Sequence, residues 1–315
     1  MLTIVTITPI HWVAFIVIII FFLALDLGVF HRHAHVIKFK EALGWTFVWF
    51  TLAMAFAGAL LFQRPPPAAT LFLTGYLIEL SLSMDNVFVI ALIFSYFRVP
   101  AEQQHRVLFW GILGALLMRG ILIGVGAALI AAFHWILYIF GAFLVYSGIK
   151  MIFADTEGVH PEKNPVIRLA RKLYPVSSDY EGQKFFTRLD GKVALTPLAI
   201  VLLMVETTDL VFALDSIPAI FGITSDSFIV FTSNVFAILG LRSLYFVLAG
   251  AIQYFKYLKI GLSIVLVFIG VKMLMEFWEW EINTAASLTT VAAILIVSVV
   301  LSIIAARHEA RRART

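Results

Sequence analysis

Nine stretches of roughly 20 apolar residues follow one another along this chain, and their length constrains the fold more than any other feature. A helix needs about 20 such residues to cross the hydrocarbon core of a bilayer. Hydrophobic residues make up 62% of the 315 residues and charged residues only 13%, whereas soluble domains carry about 25% charged residues. So little charge could not cover the surface of a soluble protein of this size. The bilayer must therefore be the solvent for most of the chain.

The predicted fold class is an all-α polytopic membrane protein with nine transmembrane helices. The expected helices are 11–30, 43–62, 70–96, 106–132, 135–153, 194–220, 227–252, 258–278 and 285–306. The first is not a cleavable signal peptide, because no Lys or Arg precedes it and no small-residue cleavage site follows it. We expect residues 1–315 to form a single membrane domain, in which 11–62 contributes two N-terminal helices.

Positive charges set the expected orientation. With the N-terminus outside, 18 Lys and Arg residues fall in cytoplasmic segments and only Arg64 falls in an outer one. Such an asymmetry orients a helix bundle, and it predicts a cytoplasmic loop at 154–193 and a basic cytoplasmic tail at 307–315. We expect an amphipathic helix near 166–173 in that loop. The basic face is expected to contact anionic lipids and no nucleic acid.

Two parts of the chain resemble each other. Three short motifs recur in the same order, at offsets of 122, 123 and 124 residues: 147–152 and 269–274, 117–119 and 240–242, and 85–88 and 209–212. Each unit, 70–153 and 194–278, holds three predicted helices, so the second unit enters the membrane upside down. Inverted repeats are typical of secondary transporters, whose substrate site lies at the repeat interface. A repeat that serves only packing is the alternative.

Ionisable side chains inside the predicted helices are the candidate functional residues, because such groups are costly in a bilayer. The candidate metal ligands are Glu79, Asp85, Asn86, Glu206, Asp209 and Asp215, and the accessory candidates are Asp26, Asn234, Arg119 and Arg242. Together with Asp26 these candidates include six carboxylates, and there are two arginines. These eight charged groups would cost on the order of 20 kcal/mol if they faced lipid. We therefore expect them to face the interior of the bundle.

Helical spacing indicates which of these groups share a face. Glu79 and Asn86 lie on one face together with Ser83, at i, i+7 and i+4. Glu206 and Asp209 are neighbours at i and i+3, whereas Asp215 would point away from them on a regular helix. Because proline disrupts a helix interior, we expect a break around 214–218 that turns Asp215 inward.

The donor atoms of this set are hard oxygens, and the absence of cysteine excludes thiolate ligands. Oxygen-only sites favour Mg²⁺, Ca²⁺ or Mn²⁺. Several carboxylates in one cavity could not all stay ionised without a cation or protons, which favours exchange of protons against metal. Alternatively, Arg119 and Arg242 serve only to neutralise acids in buried ion pairs. That alternative explains the presence of at most two of the six carboxylates. Asn234 is either a ligand or a hydrogen-bond partner between helices.

At these residues the sequence resembles the TerC family of integral membrane proteins. The resembling stretches are 75–88, 206–220 and 232–242, and the likeness runs from about 26 to 276. It departs at Leu80, where the family usually has Lys. The resemblance implies a bacterial inner-membrane protein that exports manganese, is related to LysE-type exporters and uses the six candidate ligands.

The expected function is therefore export of a divalent cation, Mn²⁺ before Ca²⁺, in exchange for protons. No organic cofactor and no enzymatic activity are expected. A different class is a non-transporting membrane factor that delivers metal to, or assembles, membrane and secreted proteins. A third is an anion carrier that uses Arg119, Arg242 and the lysines Lys150 and Lys272. The family name refers to tellurite resistance, which would be indirect because carboxylates repel an oxyanion.

Overall fold

The computed structural model describes residues 8–25, 39–64, 67–153, 161–189, 191–248, 257–278, 280 and 282–312. This part of the chain forms ten α-helices and one β-hairpin. The helices are α1 (Pro9–Leu25), α2 (Phe39–Gln63), α3 (Pro67–Tyr96), α4 (Ala101–Ala132), α5 (Ile136–Phe153), α6 (Pro165–Leu173), α7 (Pro197–Phe221), α8 (Ser227–Leu248), α9 (Leu258–Met275) and α10 (Thr284–Arg312). The strands are β1 (Phe186–Leu189) and β2 (Lys192–Leu195).

The long helices confirm an all-α polytopic membrane protein. Within the described ranges, eight helices, α2 to α5 and α7 to α10, are long and apolar enough to cross a membrane. The ninth apolar helix, α1, has 17 described residues, which is at the short end of the usual span. The number of nine spans stays a prediction, and Asp26 lies outside the described residues.

Four helices form the centre of the bundle. Helix α3 packs against α7 and α8, and α4 packs against the same two helices. Helix α8 is buried almost all round, because α1 and α2 add to the cover that α3 and α4 provide. In that cover Phe15 of α1 contacts the rings of Phe228 and Phe236 of α8 at centroid distances of 6.0 and 5.8 Å. Polar groups on α8 are therefore shielded from lipid.

Helices α5 and α9 pack directly on each other through small residues. A Cβ added to Gly270 would lie 2.6 Å from the carbonyl oxygen of Gly141, and one added to Gly148 would lie 2.8 Å from that of Ser263. Small residues allow backbones in a membrane to approach this closely. Gly148 and Gly270 are 122 positions apart, as are Gly141 and Ser263, so one contact is the counterpart of the other at the offset of the 147–152 motif.

Helix α7 is continuous from Pro197 to Phe221, so the predicted break around 214–218 is wrong. Pro218 lies in the last turn of α7, where it removes only the hydrogen bond to the carbonyl of Leu214. The helix absorbs that loss without interruption. Asp215 keeps the direction that a regular helix gives it.

The described residues between α5 and α7, 161–189 and 191–196, form a short helix and a hairpin. The amphipathic helix predicted near 166–173 is confirmed as α6. Asn164 caps it, because its side chain accepts hydrogen bonds from the backbone of Val166 and Ile167 at 2.9 and 3.3 Å. Ile167 is buried and packs against Ala199 and Ile200 at the start of α7, which fixes α6 to the bundle.

The hairpin in the same segment is not anticipated by the sequence analysis. Strands β1 and β2 pair in antiparallel register, with Phe186 opposite Leu195 and Leu189 opposite Lys192. Gly191 in the turn has φ of 77°, a conformation that glycine adopts without steric cost. Apolar alternation over so few residues is too weak a signal to predict such short strands.

Candidate functional site

A buried polar network lies where α3, α4, α7 and α8 meet, and we call it the central network. Its members are Glu79, Ser83 and Asn86 of α3, Arg119 of α4, Asp209 and Ser216 of α7, and Asn234 of α8. All seven side chains are buried. Each of the four central helices contributes at least one member, so the network depends on the packing of the whole centre.

Arg119 is the only cation among the seven members, and it contacts both acids. Its Nη2 and Nε donate to Oδ1 and Oδ2 of Asp209 at 2.9 and 3.2 Å. Its Nη1 forms an ion pair with Oε1 of Glu79 and contacts Oγ of Ser216 at 3.2 Å. A planar guanidinium suits this forked recognition of carboxylates. The alternative of buried ion pairs thus holds for Arg119, with two of the six acids.

The two asparagines and a serine complete the hydrogen bonding of the acids. Asn86 Nδ2 donates to Asp209 Oδ1 at 2.9 Å, and Asn234 Nδ2 donates to Glu79 Oε2 at 2.8 Å. Ser83 Oγ lies 3.0 Å from Glu79 Oε1. All four carboxylate oxygens of Glu79 and Asp209 therefore accept at least one hydrogen bond. Glu79, Ser83 and Asn86 lie on one face of α3, as their spacing predicts.

Two amide oxygens beside these acids have no hydrogen-bond partner in the described part of the chain. They are Oδ1 of Asn86 and Oδ1 of Asn234, and both are buried. An unpartnered buried acceptor costs about 1–3 kcal/mol, so each one requires an explanation. Asn86 and Asp209 also line a cavity of about 20 Å³. That volume is enough for one water or ion, since a water needs about 10–15 Å³.

Glu206 lies beside the central network, one helical turn before Asp209. Its carboxylate lies against Gly114 of α4, where any Cβ would overlap with it. Its Oε2 is buried and has no hydrogen-bond partner among the described residues. The negative charge of Asp209 acts on Glu206. The structure thus brings a third acid close to the network, with one carboxylate oxygen unpartnered in the part of the chain that the structure describes.

Asp85 and Asp215 are not part of the central network. Asp215 accepts a hydrogen bond from Ser147 of α5 at 2.7 Å, because α7 continues regularly and directs it there. Asp85 interacts electrostatically with Lys259 of α9. Within the described ranges, no three acidic or histidine side chains converge closely enough to hold a metal ion by themselves. An ion at the centre would therefore need amide or hydroxyl oxygens as additional ligands.

The accessory candidates differ in position. Arg119 and Asn234 lie inside the central network, and Arg242 is buried and lines the same small cavity as Asn86. Sequence reasoning missed Ser216 and Gly114. Ser216 belongs to the 206–220 stretch, in which the sequence analysis selected its acidic neighbour Asp215 as the candidate ligand. Gly114 shows no signal beyond being small, because its role depends on which residue of α7 it faces.

Comparison with known proteins places the chain among integral membrane proteins. The family model described as "Integral membrane protein TerC family" matches residues 64–314. An "Uncharacterized membrane protein STKORF319" of Myxococcus xanthus is 52% identical over 302 residues, which cover 96% of this chain and 94% of the relative. A "Putative membrane-bound redox modulator Alx" of Escherichia coli K12 is 45% identical over 315 residues, which cover 97% and 98% of the two chains. No solved structure matches.

Proposed function

The chain belongs to the integral membrane protein TerC family, and from that premise we propose that it is a secondary transporter that exports a divalent metal cation, with Mn²⁺ as the substrate. The observation that carries the proposal is the central network, in which two carboxylates and two unpartnered amide oxygens lie in the buried centre of the bundle. Polar groups at this depth mark ion pathways in membrane proteins.

The donor chemistry supports a hard cation. Glu79 and Asp209 supply carboxylate oxygens, and Asn86 and Asn234 supply the amide oxygens. Mn²⁺, Mg²⁺ and Ca²⁺ prefer such ligands, whereas softer metals prefer nitrogen and sulfur. We take Mn²⁺ as the substrate and Ca²⁺ as the alternative.

The charge of the network supports coupling to protons. Glu79 and Asp209 carry two negative charges when ionised, and Arg119 offsets one of them. A buried uncompensated charge is strongly destabilising, so the remaining charge is expected to bind a proton or a cation. Exchange of protons against metal across the membrane follows from this competition.

The packing of the helices supports an inverted repeat of 70–153 and 194–278. In such a repeat α3, α4 and α5 correspond to α7, α8 and α9. The counterpart of the contact between α3 and α8 is then the contact between α7 and α4, and both contacts are present. The contacts of Gly141 with Gly270 and of Gly148 with Ser263 exchange in the same way. We propose that the two repeats rock against each other around the central network to alternate access.

We also propose the orientation and location that the positive charges predict, with the N-terminus outside and the C-terminus in the cytoplasm of a bacterial cell. Residues 161–195, with α6 and the hairpin, would then face the cytoplasm, and the inner membrane would be the site of action. The three basic residues of α6 are Arg168, Arg171 and Lys172, and we propose anionic lipids as their partners.

A second candidate is a non-transporting membrane factor, which the folded segment at 161–195 favours because a bare connection would need no such structure. The name of one relative refers to redox modulation. This chain has no cysteine, so a redox effect would act through metal availability instead of thiol exchange. An effect on tellurite resistance would likewise act indirectly, through metal availability.

Flux of Mn²⁺ in proteoliposomes tests the proposal. The wild-type protein should move Mn²⁺, and Glu79→Gln should not, because the amide removes a charged ligand without changing the size of the side chain. Glu102→Gln is the matched control, since Glu102 is exposed in the first turn of α4. Absence of flux in folded wild-type protein would exclude the transporter. Full flux after deletion of 161–189 would count against the membrane-factor alternative.

A further inference from the structure

We propose that Arg119 is a tethered cation that occupies the metal's place on Asp209 and Glu79 whenever the site is empty, and that Glu206 is the carboxylate to which it moves when metal binds. The inference rests on the proposed function and deepens it, because it identifies the residue that closes the empty site.

The first step is the occupancy of the acids. Arg119 contacts both Asp209 and Glu79, and its exposed fraction is only 2%. A divalent ion beside both carboxylates would meet the guanidinium at close range and be repelled by it. Arginine does not lose its proton in proteins. Arg119 must therefore leave at least one of the acids before the ion can bind both.

The second step is the charge balance. Arg119 places one positive charge beside Asp209 and Glu79, and a divalent ion in its place would bring two. When Arg119 moves to Glu206, its own charge stays paired, which avoids the cost of an uncompensated buried cation. With Arg119 the acids of an emptied carrier keep a cationic partner during the return step, whereas without Arg119 they lose that partner.

The third step is a destination for Arg119. Glu206 presents the buried Oε2 that has no hydrogen-bond partner among the described residues. Its carboxylate lies against Gly114, five residues before Arg119 on the same helix. Asp209, which Arg119 binds now, and Glu206 are neighbours one turn apart on α7, so the guanidinium would have to move by about one helical turn, roughly 5 Å. Because Gly114 has no side chain, the carboxylate of Glu206 can lie directly against α4 at that position.

The alternative is a static ion pair that only holds the helices together. The two accounts predict opposite effects of Arg119→Met on metal binding. A tethered cation competes with the ion, so its removal should tighten Mn²⁺ binding by about tenfold, which corresponds to about 1.4 kcal/mol. A static pair supports the geometry of the site, so its removal should weaken binding.

The experiment combines calorimetry with Mn²⁺ in detergent and two flux assays in proteoliposomes. We expect Arg119→Met to bind Mn²⁺ more tightly, to retain exchange of Mn²⁺ for Mn²⁺, and to lose net efflux. Arg119→Lys keeps the charge with fewer donors and should show the same changes more weakly. Arg64→Met is the matched control, because it breaks the partly exposed ion pair of Arg64 with Asp226 and should alter none of these quantities.

A double-mutant cycle separates the two roles open to Glu206. If Glu206 receives Arg119, Glu206→Gln should weaken Mn²⁺ binding in the wild type and have no effect in the Arg119→Met background. If Glu206 is a metal ligand, the loss should be equal in both backgrounds, and this part of the proposal fails.

The outcomes distinguish the inference from the function on which it rests. Weaker binding in both Arg119 variants, with wild-type monodispersity, would overturn the tethered cation and leave the transporter intact. If Arg119→Met does not fold, Arg119→Lys decides by the sign of its change in affinity. A wild-type protein that neither binds nor transports Mn²⁺ would overturn both.

Discussion

Arg119 of α4 binds Asp209 of α7 through two parallel hydrogen bonds, from Nη2 to Oδ1 at 2.9 Å and from Nε to Oδ2 at 3.2 Å, in the buried centre of the bundle. The pair joins a helix of one predicted repeat to a helix of the other. Because its second acid, Glu79, belongs to α3, Arg119 connects three of the four central helices. Any relative movement of the two repeats must therefore change the contacts of this one side chain.

Asp209→Asn should stop Mn²⁺ transport and lower stability. The amide keeps the shape of the side chain but removes a carboxylate ligand and the partner of two Arg119 donors. Because Glu79 still pairs with Arg119, no uncompensated cation is left, and we expect the cost of lost hydrogen bonds to a charged group, about 1.5–3 kcal/mol. Thermal unfolding in detergent and flux in proteoliposomes check the two effects. Asp179→Asn, which changes an exposed side chain of the 161–189 segment, should leave both unchanged.

Gly114→Ala should disable the site because the new methyl group overlaps with the carboxylate of Glu206. Overpacking costs about 1–3 kcal/mol, and we expect the low end of this range in the melting temperature, because the carboxylate is the end of a flexible side chain that can be displaced. Gly124→Ala is the control on the same helix, since a Cβ at Gly124 meets no atom within 4 Å. Adding Glu206→Ala to Gly114→Ala should restore the melting temperature but not the flux. Wild-type stability and wild-type Mn²⁺ flux in Gly114→Ala would contradict the contact described between Glu206 and Gly114.

Gly148→Ala should weaken the packing of α5 on α9. The added Cβ would lie 2.8 Å from the carbonyl oxygen of Ser263, so the two backbones would have to separate. We expect a loss of about 1–3 kcal/mol, measured as a fall in melting temperature in detergent. Gly58→Ala in α2, where a Cβ has open space, should have no such effect. A neutral Gly148→Ala would mean that α5 and α9 are not in direct contact.

The basic face of α6 should make the protein sensitive to lipid charge. Val166, Leu169 and Leu173 are exposed and lie on the opposite face of α6 from its basic residues. This is the pattern of a helix that lies in the membrane interface and attracts anionic lipids.

The corresponding variant replaces Arg168, Arg171 and Lys172 with Gln. The change should reduce the preference for vesicles of phosphatidylglycerol over phosphatidylcholine, read as the difference in melting temperature between the two. Replacing Lys184, Arg188 and Lys192 with Gln removes the same charge from the hairpin region and serves as the control. An equal loss in both variants would indicate an effect of net charge alone.

The sequence predicts the fold class because length and hydropathy dictate it. Helices α4 and α5 end and begin at Ala132 and Ile136, close to the predicted bounds of 132 and 135, although only a short stretch separates them. The face shared by Glu79 and Asn86 also follows from the sequence, because it is a property of one helix and its period.

The arrangement across helices could not be predicted in the same way. Pro218 suggested a break, but its effect depends on its distance from the end of the helix, which sequence alone does not give. Asp215 consequently faces Ser147 and not Glu79. Two contacts depend on the rotation of α4 against α3 and α7. One is the binding of Arg119 to Glu79 and Asp209, and the other is the contact of Glu206 with Gly114. Only packing decides that rotation.

The most direct test of the central claim is an anomalous-scattering map of the protein with Mn²⁺ bound. We expect a manganese peak between α3 and α7, within about 2.5 Å of carboxylate oxygens of Glu79 and Asp209, with Arg119 displaced from at least one of them. Manganese peaks confined to the surface, with Arg119 still bound to both acids at saturating Mn²⁺, would contradict it.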